Sequence, residues 1–321
     1  MCIRDRAEAR RWLSGGPAPD LHALGDTSTL KLPRTEPPPT FAVPGSSVRS
    51  TFSPDDYRRA VRRAIELIRA GDVYQVNLSQ RFEASVKDDL PGLYRTLRTA
   101  SPAPFGSCFE TRDGAILSTS PERFLSLTSQ GEVETRPIKG TRPRHSDPGL
   151  DSEFATELAA SVKDRAENLM IVDLLRNDLS RVCEPGSVRA TELFRVESYA
   201  TVHHLVSTVR GHLRRGVRST DLLRAAFPSG SVTGAPKIRA MEIIAEQEPV
   251  ARGPYCGAIG YLGFGGDMDT SVSIRIAVVA GGRVVFHAGG GVVADSDPEA
   301  EYRETLDKAR ALVHAIERRS S

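Results

Sequence analysis

The chain has 321 residues, of which 39% are hydrophobic and 26% are charged, and its formal net charge is +2. These values are typical of a soluble globular protein, and so small a net charge produces no field that would attract nucleic acid or an anionic membrane. No apolar run approaches the roughly 20 residues of a membrane span. Composition therefore excludes integral membrane, collagen-like, coiled-coil and disordered proteins, and we expect no nucleic-acid or membrane partner.

The cysteines predict a reducing compartment. They are Cys2, Cys108, Cys183 and Cys256, and no two of them form a C-x-x-C pair. This scatter argues against a zinc site or a redox motif. Residues 1–6 lack the apolar core of a signal peptide. We therefore expect a cytoplasmic enzyme.

Residues 1–50 differ in composition from the remainder of the chain. They are rich in proline and poor in periodic hydrophobicity, which is typical of an extended linker. We interpret them as a linker or as the remnant of an N-terminal region whose larger part is missing. Residues 51–318 are then the predicted catalytic domain.

Helix signals recur from residue 53 onward. The first helix is predicted to begin after Ser53, a favourable N-cap, with Pro54 at its first position and apolar residues at helical spacing up to Gly71. Two more helices are predicted across Gly149–Arg181. The remaining predicted helices are Thr220–Phe227, Pro236–Glu246 and Pro298–Glu317, the last capped by Asp297.

Strand signals occur in clusters joined by short turns such as Ala280–Gly282. Polar and apolar residues alternate along Val73–Phe82, as expected of a half-buried strand. The other predicted strands are Phe105–Glu110, Ala115–Ser118, Phe124–Thr128, Val133–Pro137, Cys256–Phe264, Thr270–Val279 and Arg283–Ala288. Because strands linked by hairpin-length turns pair antiparallel, the pattern predicts an α+β fold with helices packed outside the sheets, rather than a doubly wound parallel sheet.

Two predicted helices carry acidic residues on one face. Glu301, Glu304 and Lys308 are spaced i, i+3, i+7, and Asp164 and Glu167 are three residues apart. If the two faces met, the carboxylates would surround a point that only a cation stabilises, and ligation by oxygen alone suits Mg²⁺. From the spacing alone, solvated helix faces that make i,i+4 ion pairs are the better interpretation.

Two glycine-rich segments fail to match a nucleotide-binding motif. Phe227–Lys237 lacks the spacing of a P-loop and is either an anion site formed by backbone N–H groups or a loop that needs glycine for its geometry. Gly289, Gly290 and Gly291 follow a predicted strand, but no helix succeeds them as a dinucleotide fold requires. A close approach of the backbone to a carboxylate is the better interpretation of these three glycines.

Histidine and lysine supply further candidates that are ambiguous in isolation. His203 and His204 would act as a base or a hydrogen-bonding group, or else as buried structural residues. Lys139 ends a predicted strand beside Gly140. A neutral amine there would be a nucleophile, whereas a charged one would be an ordinary surface group.

The order of the motifs resembles one enzyme family. The motifs are Ser120–Phe124, Pro137–Thr141, Asp164–Met170, Asp173, Arg176–Asp178, His204–Ser207, Gly234–Lys237, Ile274–Arg275 and Ala288–Asp297. Together they resemble the chorismate-utilising enzymes, which include anthranilate synthase component I, aminodeoxychorismate synthase component I, and isochorismate and salicylate synthases. The resemblance covers residues 50–318 and implies two antiparallel β-sheets packed as a sandwich with helices outside.

The resemblance also implies a site for chorismate and Mg²⁺ between the sheets. The metal ligands carried over by position are Glu167 and Glu304, supported by Glu301 and Asp164. The resemblance assigns Tyr255 and Arg275 to the enolpyruvyl carboxylate. The backbone amides implied to bind carboxylates are those of Gly140, Thr141, Gly289, Gly290 and Gly291. Lys308 is implied to add positive charge, and His204 and Ser231 to lie along the ring. Family members often have threonine at the position of Ser231.

Two positions indicate the branch of the family. Gln75 stands where the water-using branches carry a lysine base, which favours ammonia as the nucleophile. Lys139 lies in Pro-Ile-Lys-Gly, which is similar to aminodeoxychorismate synthases, whereas anthranilate synthases resemble Pro-Ile-Ala-Gly. The implied chemistry is protonation of the departing C4 hydroxyl by Glu122, attack of Lys139 on C2 and entry of ammonia at C4, with His204 as a further catalytic residue.

The expected product is 4-amino-4-deoxychorismate, a precursor of para-aminobenzoate and folate. The ammonia is expected to come from a separate glutamine amidotransferase subunit, since the chain carries no glutaminase nucleophile motif. The main competing function is that of anthranilate synthase component I, which releases pyruvate. Two further candidates are an isochorismate or salicylate synthase and a non-catalytic ligand-binding homologue.

Overall fold

The structure is a computed structural model that describes residues 39–86, 89–112 and 114–320. The helices within these ranges are α1 (Pro54–Arg69), α2 (Leu90–Ala100), α3 (Pro148–Ala160), α4 (Val162–Ser180), α5 (Ser219–Ala226), α6 (Lys237–Gln247) and α7 (Pro298–Ser320). The strands are β1 (Phe41–Ala42), β2 (Arg49–Ser50), β3 (Gln75–Ser85), β4 (Phe105–Thr111), β5 (Gly114–Ser120), β6 (Arg123–Leu127), β7 (Glu132–Arg136), β8 (Ile138–Pro143), β9 (Arg189–Ser198), β10 (Val202–His212), β11 (Gly234–Ala235), β12 (Ala258–Leu262), β13 (Met268–Val272), β14 (Ile276–Ala280) and β15 (Arg283–Val292). In the same ranges, no helix has the length and apolar character needed to cross a membrane.

The strands form two antiparallel sheets, which confirms the expected α+β fold. Among the described residues, sheet I has the order β1-β2-β3-β15-β14-β5-β4, and β11 also pairs with β3. Sheet II has the order β12-β13-β6-β7-β10-β8, and β9 also pairs with β10. The sheets face each other where Lys139 of β8 approaches Gly291 of β15.

Helices cover both sheets through apolar contacts. One cluster packs α4 and α5 against sheet II, and it includes Phe124, Val172 and Leu222. A second cluster packs α2 and α7 against sheet I around the stacked rings of Phe82 and Phe286, whose centroids are 5.2 Å apart. A third cluster packs α1 and α6 against β3. Burial of these faces is the main stabilising term of the fold.

The predicted first helix is confirmed at its start. The Oγ atom of Ser53 accepts a hydrogen bond from the backbone N–H of Asp56 at 3.1 Å, and Pro54 occupies the first helical position. The apolar face of the helix is buried against β3. Gly71, which follows the helix, has a φ of +86°, a backbone conformation that glycine adopts readily.

The prediction of one strand over Thr270–Val279 is wrong. The segment contributes to β13 in sheet II and to β14 in sheet I. Between the two strands, the N–H of Ile274 donates to the carbonyl of Val272 at 2.8 Å, and Arg275 has a φ of +51°. Because these residues are apolar or β-branched on both sides of the turn, their composition predicts a strand throughout and conceals the crossing between sheets.

The folded unit includes residues that precede position 51. Val43 and Val48 are buried in the cluster beneath α2 and α7, and β2 pairs with β3. Residues 1–38 of the predicted linker lie outside the described residues.

Candidate active site

Lys139 projects from β8 toward sheet I. A Cβ atom added at Gly291 would lie 3.2 Å from the Nζ atom of Lys139 and 2.1 Å from the Nε2 atom of Gln75, so the glycine makes room for both side chains. Burial lowers the pKa of Lys139, and the charge of Lys308 acts in the same direction. The carboxylates of Glu167, Glu122 and Glu304 oppose this shift without reversing it. A lowered pKa increases the fraction of neutral amine, which is the nucleophilic form.

Glu122 is the acidic neighbour of Lys139 on the side of sheet II. It lies between β5 and β6 and is only 4% exposed. Burial raises the pKa of Glu122 to about 7, against the opposing effects of its hydrogen bond with Ser231 and of the Lys139 charge. A carboxyl group with this pKa is substantially protonated near neutral pH and is able to donate a proton.

Carboxylates from α4 and α7 meet in front of Lys139. Glu304 raises the pKa of Glu167, although burial is the larger cause of that shift. A Cβ atom at Gly290 would lie 2.9 Å from the Oε2 atom of Glu301 and 3.3 Å from the Oε1 atom of Glu304. Glu167 accepts from the Nε2 atom of Gln75 at 3.5 Å, and that atom lies beside the adjacent Gly291. The two acidic helix faces therefore approach adjacent glycines of β15.

Glu301 has one carboxylate oxygen without a protein partner. Its Oε1 atom accepts from the hydroxyl of Ser296 at 2.7 Å, while Oε2 is buried and unpaired. Burial and the neighbouring Glu304 raise the pKa of Glu301. A buried, unpaired carboxylate oxygen beside a second carboxylate suits a hard cation such as Mg²⁺.

The ion pairs expected of solvated helix faces are present as well. Lys308 pairs with Glu304 at 2.5 Å, and the Nζ atom of Lys163 lies 4.0 Å from the Oε1 atom of Glu167. Lys308 also donates to the carbonyl of Gly289 at 2.9 Å, which ties α7 to β15. Burial of Glu304 is outweighed by the nearby lysines, so its pKa is lowered.

Asp164 is engaged with β8. Its Oδ2 atom lies 3.3 Å from a guanidinium nitrogen of Arg142, and its carboxyl carbon would lie 2.9 Å from a Cβ atom at Gly140. Gly140 has a φ of +88° and is packed against Asp164, so a side chain there would be both strained and obstructed. Within the part of the chain that the structure describes, no three or more potential ligands are grouped closely enough to form a metal site by themselves.

His204 is held by β8 and faces the site with one free nitrogen. Its Nδ1 atom lies 2.9 Å from the hydroxyl of Thr141, while its Nε2 atom is buried without a partner. Burial, with a contribution from the charge of Arg275, lowers the pKa of His204 to about 4. The imidazole is therefore neutral at pH 7, and its ring lies 5.6 Å from that of Tyr199.

Arg275 and Tyr255 are the residues expected to hold a substrate carboxylate. In the described ranges, no carboxylate pairs with the guanidinium of Arg275, whose pKa is lowered by burial alone. A half-buried arginine without an acidic partner is suited to bind an anion. Tyr255 is buried and stacks on His287, with ring centroids 5.0 Å apart.

The glycines Gly289, Gly290 and Gly291 lie inside β15, whereas the sequence pattern predicts them after a strand. On one edge they pair with residues 77–79 of β3. On the opposite edge, β14 pairs with β15 only as far as Phe286. Backbone groups of the glycine segment on that edge are thus free of strand pairing.

For the segment 227–237, the structure supports the interpretation as a loop that needs glycine for its geometry. A Cβ atom at Gly230 would lie 2.5 Å from Leu174, and one at Gly234 would lie 2.1 Å from the carbonyl oxygen of Gln75. Lys237 is paired with Asp178 at 2.6 Å, so its charge is already neutralised. Pro236, predicted at the first helical position, is the N-cap residue of α6.

Two contacts of the site residues are not predicted by the sequence. One is the ion pair of Asp164 with Arg142, and the other is the hydrogen bond of Glu301 with Ser296. Ser296 lies in the Asp-Ser-Asp-Pro turn before α7, and such a turn is a recognisable helix-start signal. The pairing of Arg142 depends on the approach of α4 to β8, for which the sequence carries no local signal.

Comparisons with known proteins identify the family of this chain. Residues 2–314 match the family described as chorismate binding enzyme. Aminodeoxychorismate synthase component 1 of Salmonella typhimurium (strain LT2) is 53% identical over 272 residues, which are 85% of this chain and 60% of that protein. Anthranilate synthase component 1 of Streptomyces coelicolor is 50% identical over 264 residues, which are 82% of this chain and 51% of that protein.

A solved structure shares the fold. Anthranilate synthase component I from Streptococcus pneumoniae superposes with a TM-score of 0.76 at 38% identity, over 85% of this chain and 62% of that one. The chain spans about 60% of the length of curated relatives such as the Salmonella protein. The sequence motifs, the two-sheet fold and the match over residues 2–314 together show that this chain belongs to the chorismate-binding enzyme family.

Proposed function

We propose that the chain carries the chorismate-converting part of an aminodeoxychorismate synthase component 1. The reaction is chorismate plus ammonia to 4-amino-4-deoxychorismate plus water. The observation that carries the proposal is the half-buried Lys139, whose amine approaches Gly291 of the opposite sheet and whose pKa is lowered, beside a carboxyl group of Glu122 whose pKa is about 7. The lowered pKa of Lys139 favours the neutral, nucleophilic amine, and Glu122 is able to donate a proton near neutral pH.

In the first step, the neutral Nζ atom of Lys139 forms a bond to C2 of chorismate. The ring double bonds shift, the C4–O bond breaks, and the hydroxyl leaves as water after taking a proton from Glu122. The lysine is then joined to C2 as a secondary amine. The enzyme surface contributes orientation and a proton, and no oxidant or reductant is required.

In the second step, ammonia forms a bond to C4 and the C2–N bond to Lys139 breaks. The electrons return through the ring, and one proton from the added ammonia restores the protonation state of the Lys139–Glu122 pair. Displacement at C2 followed by displacement at C4 places the amino group para to the ring carboxylate. The enolpyruvyl group is retained, so no pyruvate is formed.

The carboxylates of α4 and α7 would hold Mg²⁺, with Glu167, Glu304 and Glu301 as ligands. The unpaired Oε2 atom of Glu301 is the feature of this chain that fits a cation. When bound, the ion supplies positive charge against the ring carboxylate of the substrate. Asp164 is a poorer candidate for direct ligation because Arg142 neutralises it.

Substrate orientation is assigned to the remaining site residues. Arg275 and Tyr255 would bind the enolpyruvyl carboxylate, and the free edge of Gly289–Gly291 together with Gly140 and Thr141 would offer amides to carboxylates. The neutral His204 would present its free Nε2 atom along the ring, and Ser231 is also assigned to the ring. Lys308 adds positive charge.

A second candidate function is anthranilate synthase. It is favoured by the 50% identity to the Streptomyces coelicolor enzyme, which is close to the 53% identity to the Salmonella enzyme. Identity alone therefore does not separate the two activities. Lys139 favours the first activity, because direct attack of ammonia at C2 needs no amine from the protein.

The name component 1 of the relatives supports a partner that supplies ammonia. A glutamine amidotransferase subunit is the partner we propose. The cytoplasm is the proposed location, since it provides glutamine and a reducing environment for the described cysteines.

Product identification tests the proposal. The protein is incubated with chorismate, Mg²⁺ and an ammonium salt, and the products are separated and identified by mass, with pyruvate measured in parallel. We expect 4-amino-4-deoxychorismate without pyruvate. Anthranilate together with one equivalent of pyruvate would instead establish the second candidate.

A further inference from the structure

A buried polar pair lies behind the candidate site and touches none of its proposed substrate contacts. Asn168 follows Glu167 on α4, and Ser207 lies on β10, three residues after His204. Both residues are completely buried, with 0% exposure. Burial of polar side chains is unfavourable unless their hydrogen bonds are satisfied, so the contacts of this pair identify what it holds together.

Asn168 ties α4 to the strand that carries His204. Its Nδ2 atom donates to the carbonyl of Leu205 at 3.3 Å, and its Oδ1 atom accepts from the hydroxyl of Ser207 at 2.5 Å. Both of its hydrogen-bonding ends are thus used on β10, within three residues of His204.

Ser207 connects two further strands. Its hydroxyl accepts from the N–H of Phe194 on β9 at 3.0 Å, and its own N–H donates to the carbonyl of Pro137 at 3.2 Å. Pro137 immediately precedes β8 and is two residues from Lys139. Ser207 therefore contacts the segment that begins the lysine strand, the neighbouring strand and α4 at once.

The local backbone is irregular in a way that permits these contacts. The pairing of β10 shifts register against β8 between His204 and Val206, and against β9 between Val206 and Thr208. Phe194, which donates to Ser207, has a φ of +58°. A regular ladder would have used the N–H of Ser207 and Phe194 within the sheet, and irregularities of this kind are known to redirect side chains near active sites.

We propose that Asn168 and Ser207 are positioning residues that set the spacing among Lys139, Glu167 and His204. The inference rests on the proposed function, because it assigns the pair to the reaction of that site. Neither residue acts on the substrate. Each holds an element that carries one of the three groups, and a displacement of about 1 Å between reacting groups reduces rates by roughly 10²-fold.

Kinetics of Ser207→Ala and Asn168→Ala test the inference. The matched control is Ser180→Ala, which removes an exposed hydroxyl from the same helix, where it bonds to the carbonyl of Arg176. A second control, Leu97→Ala, destabilises the remote core cluster beneath α2. All kcat and KM values are measured well below the melting temperature of each variant.

We expect kcat to fall about tenfold to a hundredfold in Ser207→Ala and Asn168→Ala. The KM for chorismate should stay within about threefold, since the carboxylate receptor Arg275 lies on another segment. Both controls should keep kcat within about twofold of the parent. The inference is wrong if kcat of the two variants stays at the parent value, or if Leu97→Ala loses kcat to the same extent.

Hydrogen exchange supplies a readout that does not depend on turnover. Asn168→Ala should increase amide exchange in residues 138–141 of β8, although Asn168 has no hydrogen bond to that strand, and Ser180→Ala should not. Unchanged exchange in residues 138–141 would overturn the inference. If the parent chain yields anthranilate or no product, the proposed function fails while this comparison still decides the role of the pair.

Discussion

Strand β3 lies between two buried regions of the molecule, one of which is apolar and the other polar. On one face, Val76 and Leu78 pack into the apolar cluster with α1. On the other face, the alternate residues Gln75, Asn77 and Ser79 are just as inaccessible to solvent and yet polar. The alternation of side chains along a strand therefore divides an apolar layer from the candidate site.

The groups on the polar side of β3 oppose folding, whereas burial of the apolar side favours folding. The polar side contains an amine and carboxyl groups with shifted pKa values, and buried atoms without protein partners, such as Nε2 of His204 and Oε2 of Glu301. Each buried atom without a partner opposes folding by about 1–3 kcal/mol. Substitutions on the polar side should thus affect catalysis strongly, and those on the apolar side should affect stability strongly.

The largest effect is expected for Lys139→Ala. Removal of the nucleophile should reduce the rate of 4-amino-4-deoxychorismate formation by roughly 10³-fold or more. The covalent adduct, with the mass of chorismate less one water, should disappear from the intact-protein mass spectrum. Lys139→Arg keeps the charge without a neutral amine and should be equally inactive. An adduct of undiminished yield in Lys139→Ala would refute the covalent step.

Glu122→Gln should reduce kcat by about 10²–10⁴-fold, the usual contribution of a general acid. In the parent, kcat/KM should decline as the pH rises past about 7, because Glu122 of the free enzyme then loses its proton. The variant should lack this decline, as measured in a pH series at chorismate concentrations well below KM.

The same variant should also change the pH dependence of stability. The pKa of Glu122 is raised from 4.5 to about 7 on folding, so the folded state binds the proton more tightly and the parent loses stability as the pH rises between those values. Glutamine carries no charge, and Glu122→Gln should therefore gain up to about 3 kcal/mol relative to the parent above pH 7. Urea unfolding at pH 5 and pH 8 measures the difference, and equal gains at both pH values would contradict it.

A smaller effect is expected for Glu304→Gln. The loss of one proposed ligand should raise the Mg²⁺ concentration for half-maximal activity at least about tenfold, and a chelator should abolish activity reversibly in the parent. Glu299→Gln is the matched control, because Glu299 lies on the same helix and pairs with Arg58 outside the site. An unchanged Mg²⁺ requirement in Glu304→Gln would remove this residue from the proposed site.

Leu97→Ala examines the apolar region. Leu97 is 1% exposed in the cluster beneath α2, and truncation of such a leucine costs about 2–5 kcal/mol in the free energy of unfolding. The folded variant should retain the parent kcat. A large loss of kcat at a temperature where it remains folded would show that the two regions are not separable.

The smallest effect is expected at the surface. Arg176 pairs with Asp173 at 2.8 Å on the exposed side of α4, and exposed pairs of this spacing contribute about 0.5 kcal/mol or less. Arg176→Ala should leave both the free energy of unfolding and kcat nearly unchanged. A loss of more than about 1 kcal/mol would show that this side of α4 is not a free surface.

Local signals account for the parts of the fold that the sequence predicts well. Ser53 and Pro54 determine the start of α1 through contacts within one turn, and the hairpin at Ala280–Gly282 joins two strands that pair as expected. Strands β8, β9 and β10 are absent from the sequence prediction. Their residues are mainly polar or irregularly spaced, and they become strands by pairing with one another.

In the candidate site too, local features are predictable from the sequence and long-range contacts are not. The acidic spacing on α4 and α7 is visible in the sequence, but the convergence of the two helices depends on contacts between residues far apart along the chain. The engagement of Asp164 by Arg142 follows from the packing of α4 on β8, which no short-range pattern encodes. Residues of the site are thus predictable from motifs, whereas their partners are not.

The turn at residues 273–275 couples the arrangement of the two sheets to the position of Arg275. It is one of the covalent connections between the sheets, and it also carries the guanidinium of Arg275, which pairs with no carboxylate among the described residues. We therefore expect that a motion separating the two sheets at this turn would also displace Arg275, the proposed ligand of a substrate carboxylate. If Arg275 binds the carboxylate as proposed, substrate affinity should depend on the spacing of the two sheets, and a bound carboxylate should favour their closed arrangement.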